Sequence, residues 1–376
     1  MAKRSMLALV CLAIMILSGC GRQPTHQPVG SRSAKARHRP RALAAVKIGG
    51  KWGYVDDTGR MAIKPRFRKA GAFSEGLAAV VVGRKSGFID PTGKVDIPLR
   101  FGWNMDFSEG LAATRVGDKW GFIDKTGRMV IKPRYVYPAA FSEGLAAVWI
   151  DRKHGFIDKT GRMVISPRFD LAESFSEGLA AVQVKVPTGE IGVEPISKWG
   201  FIDKTGKMVI QPEFGDIGPP HFSDGLTLVW VPLKYWQCGF IDKTGRMVIQ
   251  PRFATGDAFS EGLAVVASAD PGSKYGYVNR TGKIVIRLQY GHAWSFSEGL
   301  AAVAVGRKCG FIDKTGRMVI PPQFNDPYAT YHDEPYGFSQ GLCAVQVGRK
   351  WGYINKQGEL VIRPQFDLAM NFCKTG

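Results

Sequence analysis

The sequence predicts an all-β protein, and three observations lead to that prediction. One pattern of about 34 residues recurs from Leu43 onward, which indicates a tandem-repeat architecture. Each copy alternates short apolar runs with Gly-containing turns, as short strands do. Apolar residues at helical spacing are nearly absent. We therefore expect nine tandem three-stranded β-repeats over residues 43–376.

The repeats share a leucine at their first position, and this residue defines the units used below. The nine units begin at Leu43, Leu77, Leu111, Leu145, Leu179, Leu226, Leu263, Leu300 and Leu342.

The third unit, Leu111–Gly144, is the clearest copy, and its residues predict each local element. Its strands are expected in Leu-Ala-Ala-Thr-Arg-Val, in Trp-Gly-Phe-Ile-Asp and in Arg-Met-Val-Ile. The Asp-Lys-Thr-Gly segment suits a type I turn in which Gly is left-handed and Asp124 accepts backbone N–H groups. Pro133 lacks a donor and is expected to end the third strand.

A unit of this size cannot bury its own apolar face, so neighbouring units must stack. We expect an extended or superhelical β-array. The alternative is a closed toroid or propeller-like ring, in which Leu43–Val46 would pair beside the last unit. A four-stranded blade usually needs about 40–45 residues, which argues against the common propeller.

These units resemble the WG repeats of bacterial proteins, named for a Trp-Gly pair. The pair is literal at four places: Trp52-Gly53, Trp120-Gly121, Trp199-Gly200 and Trp351-Gly352. Elsewhere the Gly stays and its neighbour is Ser86, His154, Cys238, Tyr275 or Cys309. The constant Gly predicts a close backbone approach or a bulge, and the variable neighbour predicts a half-exposed site. The resemblance implies a bacterial surface or interaction protein with no shared reaction.

The N-terminus predicts a lipoprotein signal peptide over residues 1–19. Lys3 and Arg4 precede the apolar run Met6–Leu17, which is too short to span a bilayer but suits a signal-peptide core. The run ends in Leu-Ser-Gly19-Cys20, which resembles the bacterial lipobox. The resemblance implies cleavage between Gly19 and Cys20 and lipidation of Cys20, since the thiol forms the thioether.

Residues 20–42 are expected to form a flexible basic tether behind the lipidated cysteine. They are rich in Pro, Gly, Ser and Arg and almost lack apolar residues. The formal net charge is +19, but eight of these charges precede Leu43, so the repeats carry a diffuse positive field. This distribution does not predict specific nucleic-acid binding.

The sequence shows no unique polar constellation, so we expect no enzyme activity, no cofactor and no metal site. The Asp and Glu residues that recur in nearly every unit are expected to serve turns, because an active site is normally singular. Four cysteines in the repeats, Cys238, Cys309, Cys343 and Cys373, replace ordinary repeat residues and are expected to be buried or half-buried thiols. A Cys343–Cys373 bridge is the open alternative.

Irregular loops are the candidate binding sites. Residues 185–197, 231–237 and 267–273 enlarge the same turn in three consecutive units, and insertions on one face of a repeat array often bind a partner. A further insertion spans residues 325–336, and the row of Lys-Thr-Gly-Arg turns is a third candidate. The aromatic candidates are Trp230, Tyr235, Trp236, Tyr275, Tyr328, Tyr331 and Tyr336.

Together these features predict a lipid-anchored protein of the bacterial cell envelope, in the outer membrane if the cell has one. The function expected is a non-catalytic scaffold that binds a protein partner. The alternative is a module that binds a glycan or cell-wall polymer, since aromatic side chains on loops suit sugar faces as well as protein hot spots.

Overall fold

The structure, a computed structural model, describes residues 41–187, 194–218, 220–232, 236–270, 272–326 and 336–376. Every regular element among them is a β-strand, so the predicted all-β class is confirmed. Nothing in the described ranges is a helix able to cross a membrane. Gly19, Cys20 and almost all of the predicted tether lie outside the described residues.

Each unit contributes a first, a second and a third strand. The first strands are β1 (Ala42–Ile48), β5 (Leu77–Val82), β9 (Leu111–Val116), β12 (Leu145–Ile150), β16 (Ala180–Val186), β20 (Leu226–Pro232), β23 (Leu263–Ser268), β27 (Leu300–Val305) and β30 (Cys343–Val347). The second strands are β2 (Lys51–Asp56), β6 (Lys85–Ile89), β10 (Lys119–Asp124), β13 (Lys153–Asp158), β17 (Ile196–Ile202), β21 (Trp236–Asp242), β24 (Tyr275–Asn279), β28 (Lys308–Asp313) and β31 (Lys350–Ile354). The third strands are β3 (Met61–Phe67), β7 (Val95–Phe101), β11 (Met129–Tyr135), β14 (Met163–Phe169), β18 (Met208–Phe214), β22 (Met247–Gly256), β25 (Ile284–Tyr290), β29 (Met318–Asn325) and β32 (Leu360–Phe366).

In most units the link adds a short fourth strand, which the sequence prediction of three-stranded units missed. The link strands are β4 (Lys69–Ser74), β8 (Trp103–Asn104), β15 (Leu171–Ala172), β19 (Asp216–Ile217), β26 (His292–Ala293), β33 (Leu368–Ala369) and the terminal β34 (Cys373–Lys374). Most link strands have two residues, and the link of unit three contains no strand, so the sheet β12-β13-β14 has three strands. In β15-β16-β17-β18, for example, the link pairs antiparallel with the next unit's first strand.

The glycine of the Trp-Gly pair lies at a bulge. In unit four the register shifts between His154 and Phe156, and a Cβ added to Gly155 would lie 2.5 Å from Ile165 O and 2.8 Å from Pro167 N. The third strand therefore crosses directly over this glycine, and no side chain fits there.

The prediction that proline ends the third strand is wrong. β11 continues through Pro133 to Tyr135, where Tyr135 pairs with Trp120. Pro133 lies in the bulge between the two ladder segments, on the edge strand of its sheet. The missing N–H breaks no ladder hydrogen bond at such a position.

The two turns at the same end of each unit differ in backbone strain. In the turn between second and third strands, Asp124 Oδ1 accepts from Thr126 N at 2.9 Å and Arg128 N at 3.0 Å, which confirms the predicted turn role of this residue. In the turn before each first strand, Glu109 has φ +53° and Gly110 φ +86°, although a left-handed conformation is unfavourable for glutamate.

The core lies between units, as stacking requires. One cluster joins Leu145 and Phe156 of unit four to Val182 and Ile202 of unit five, and seven further clusters repeat this arrangement in other parts of the described chain. The aromatic pair Phe156–Phe175, with ring centroids 5.0 Å apart, recurs at equivalent positions. Each unit therefore depends on its neighbour for burial.

The first unit makes the same contacts with the last unit. Val46 of β1 pairs with Ala369 of β33, and Leu43 pairs with Cys373 of β34. A Cβ at Gly59 would lie 3.3 Å from Ile362, just as one at Gly93 would lie 3.1 Å from the preceding unit's isoleucine.

Candidate binding surface

One position of the repeat carries large exposed side chains in several consecutive units. This position consists of two paired residues. One lies at the start of the link, and the other is the residue that pairs with it on the next unit's first strand, close to the turn between the first and second strands. Trp103 pairs with Arg115, Leu171 with Gln183 and Asp216 with Trp230. The side chains at this position of units two, three, four and six, together with Trp236 in the adjacent turn of unit six, form what we call the aromatic rim: Trp103, Tyr137, Trp149, Leu171, Trp230 and Trp236.

Exposure is the property that marks the aromatic rim. Trp103 is 39% exposed, Tyr137 70% and Leu171 44%, in three consecutive units. The Tyr137 ring lies 6.2 Å from the half-buried ring of Trp149. Large aromatic side chains grouped on the surface of a soluble protein often mark a contact site, so this row is a candidate contact surface.

The sequence-predicted loop residues of units six and seven belong to or border the same surface. Trp236 is 53% exposed, and its ring lies against Gly215. The ring of Tyr275 lies 4.6 Å from that of His292, which holds the link position equivalent to Trp103. Tyr235, Tyr328 and Tyr331 lie outside the described residues.

Tyr336 does not belong to an exposed surface, contrary to the prediction. Its side chain is 2% exposed, its hydroxyl donates to Asn325 O at 2.7 Å, and the same oxygen accepts from Gln346 N at 3.1 Å. Tyr336 also packs against Trp351, with ring centroids 5.9 Å apart. It therefore closes the core below the insertion.

The expectation of a half-exposed Trp in the Trp-Gly pair is also wrong for three of four units. The exposed fractions are 9% for Trp120, 6% for Trp199 and 1% for Trp351, and only Trp52 is half-buried. Stacking of the next unit explains the burial, because Trp120 packs in the cluster that joins units three and four.

The row of Lys-Thr-Gly turns is largely neutralised. Lys159 Nζ lies 3.0 Å from Glu109, whose carboxylate also accepts from Gly144 N at 2.9 Å. Burial acts to raise the pKa of Glu109, but the hydrogen bonds from Lys159 and Gly144 outweigh it and hold this pKa below its ordinary value. Equivalent pairs are Glu75–Lys125, Glu143–Lys204, Glu177–Lys243, Glu261–Lys314 and Glu298–Lys356.

Comparison with known sequences identifies the repeats. The family described as WG containing repeat matches this chain nine times, at residues 52–85, 87–120, 120–153, 155–185, 199–229, 239–267, 275–309, 310–351 and 351–374. The chain belongs to the WG-repeat family. The nine WG repeats confirm the predicted repeat number, although the family counts each repeat from the second strand.

Other comparisons concern the fold of the WG repeats. A crystal structure of a eukaryotic initiation factor is similar to this chain at TM-score 0.64 and 11% identity, over 89% of this chain and 99% of that one. Apo AztD from Citrobacter koseri gives TM-score 0.45 at 12% identity, over 88% and 96%. No curated protein matches the sequence.

The cysteines of the WG repeats are thiols. Cys238, Cys309 and Cys343 are fully buried, and Cys373 is half-buried, so no Cys343–Cys373 bridge forms in this structure. Burial raises the pKa of the Cys238 thiol to about 12, which suppresses its reactive thiolate form.

Proposed function

We propose that this protein is a lipid-anchored scaffold of the bacterial envelope that binds a partner through the aromatic rim and catalyses no reaction. The observation that carries the proposal is the exposure of Trp103, Tyr137 and Leu171 at one equivalent position of consecutive units. Rigid aromatic side chains on a fixed framework offer large contact area at low entropic cost, as binding hot spots do.

The engagement of the recurring acids supports a non-catalytic role. Asp124 binds within its own turn, and Glu109 binds the following units. Acidic groups held in this way in most units have a structural use.

We further propose that the nine units form a closed ring. The family's repeat begins at a second strand and ends with the first strand of the following unit. The ninth match, residues 351–374, lacks such a first strand, whereas β1 precedes the first match. The pairing of β1 with β33 and the approach of Gly59 to Ile362 reproduce the contacts between other neighbours. An extended array would leave these residues apart.

The anchor is proposed from Cys20 and its lipobox. Replacing Cys20 by Ser in the full chain should abolish incorporation of labelled fatty acid and move the protein from the membrane fraction to the soluble fraction. Unchanged labelling of the variant would contradict the assignment.

The binding role is tested by crosslinking in intact cells followed by mass spectrometry. A Tyr137→Ala/Trp149→Ala variant should lose the partner crosslinks seen with the wild type. Val130→Ala is the matched control, because Val130 is also exposed, at 39%, but lies on a third strand outside the aromatic rim. Equal loss in both variants, or in neither, would refute the role of the rim.

A glycan or wall polymer is the second candidate partner. The exposed rings of Trp103 and Tyr137 favour it, because an aromatic face can pack against the C–H face of a sugar. Cosedimentation with purified wall polymer should then depend on the same two side chains. If the protein does not cosediment, the glycan candidate is excluded and a protein partner remains.

A further inference from the structure

Unit two departs from its neighbours at the tryptophan of the Trp-Gly pair, where it has Ser86. The indole at this position fills space between units elsewhere, as Trp199 does with 6% exposure. The smaller Cys309 is covered by other core side chains, Tyr336 among them. In unit two the much smaller Ser86, itself 1% exposed, leaves part of this space unfilled.

A cavity of about 360 Å³ lies at this place. Ser86 and Asn104 line it, Trp103 of the aromatic rim borders it, and Lys69 and Asp106 contribute the charged groups. This volume is at the small end of known ligand pockets, enough for one ring but not for a long chain.

The inner wall of the cavity is an organised polar network. The Asn104 amide nitrogen donates to Trp103 O at 2.9 Å, and its amide oxygen accepts from Ser86 Oγ at 3.3 Å. The amide nitrogen also reaches Thr114 Oγ1, and Ser86 and Thr114 are both almost fully buried. Buried polar groups connected in this way are rigid and present fixed hydrogen-bonding positions.

Two charged groups at the cavity make no ion pair with any described residue. Lys69 Nζ lies 4.4 Å from the centre of the Trp103 ring and has no carboxylate partner in the described ranges. The Asp106 carboxylate likewise makes no hydrogen bond with any described residue. One cation and one anion leave the site without net charge, so it favours a neutral ligand with hydroxyl groups.

We propose that this cavity binds one neutral sugar ring, of hexose size, at the end of a glycan. Trp103 supplies apolar surface for the C–H groups of the ring, Lys69 donates to a hydroxyl oxygen, and Asp106 accepts from a hydroxyl group. The proposal extends the proposed function, since it rests on the aromatic rim being a binding surface and specifies a ligand class for one part of it.

The test is a titration of the full chain with glucose, galactose and N-acetylglucosamine, followed by Trp fluorescence and calorimetry. At least one sugar should bind saturably, with a Kd in the millimolar range or below. Ser86→Trp restores the residue of neighbouring units and fills the cavity, so it should abolish binding while raising the unfolding temperature. Asp106→Asn should weaken binding about tenfold through the loss of a charged acceptor.

Controls separate this inference from the proposed function. Val130→Ala, on a third strand outside the aromatic rim and away from the cavity, should bind the sugar normally. If Ser86→Trp is folded and still binds, or if the wild type binds no sugar, the cavity proposal is wrong. Partner crosslinks that survive in Ser86→Trp but disappear in Tyr137→Ala/Trp149→Ala would then leave the scaffold proposal standing. If Ser86→Trp does not fold, the sugar affinities of Asp106→Asn and Ser86→Ala test the proposal instead. Unchanged affinity in both variants overturns it.

Discussion

Replacing Gly155 by alanine should destabilise the protein strongly, for a purely steric reason. The added Cβ would lie 2.5 Å from Ile165 O and 2.8 Å from Pro167 N, both backbone atoms of the third strand. Backbone held in a bulge cannot rotate away as a side chain can, so the strand must move. We expect a loss of about 3 kcal/mol or more in the free energy of unfolding, the upper end of overpacking effects.

The matched control is Gly178→Ala in the same unit. Gly178 has φ +89° with no atom within 4 Å of an added Cβ, so only backbone strain of about 1–2 kcal/mol applies. Urea unfolding followed by circular dichroism gives the midpoints and slopes of both variants. Midpoint shifts that are equal for the two variants would refute the argument that the Trp-Gly glycine is required by close approach.

Three further outcomes are expected. Because the pKa of Glu109 is lowered in the folded state, its ionised carboxylate stabilises the fold at neutral pH, and this stabilisation is lost as pH falls below about 4.5. Glu109→Gln should therefore make the free energy of unfolding depend less on pH in the acid range. An unchanged pH profile of stability would contradict this. Tyr336→Phe should cost about 1–3 kcal/mol by removing the hydrogen bonds that join the buried hydroxyl to Asn325 O and Gln346 N, and a thermal shift near zero would show that the hydroxyl is dispensable. With a thiol reagent under native conditions, Cys373 should react first, and faster labelling of the fully buried thiols (Cys238, Cys309, Cys343) would contradict their burial.

The local elements could be predicted because each depends on a few adjacent residues. The Asp-Lys-Thr-Gly turn and the three main strands follow from turn chemistry and apolar runs, as in residues 111–131. The link strands could not be predicted in the same way, since a pair such as Trp103-Asn104 is a strand only because the next unit lies beside it.

The candidate surface was predicted only in part for the same reason. Trp230, Trp236 and Tyr275 drew attention because they lie near insertions, whereas Trp103 and Tyr137 lie in links of ordinary length. The signal that could have found them is positional: each lies four residues before the Phe of the Phe-Ser-Glu-Gly turn. The burial of Tyr336 depends on packing between units, which no local pattern contains.

The left-handed glutamate turns have a consequence for how the protein unfolds. Glu109 adopts φ +53° at a local cost, and its carboxylate recovers that cost through Gly144 of the next unit and Lys159 of the one after. A unit that lost its successors would keep the strain without the compensation, so the opening of one unit would destabilise the unit before it. Loss of order should therefore propagate through the repeats as one transition, and short fragments of the chain should be less stable per unit than the whole.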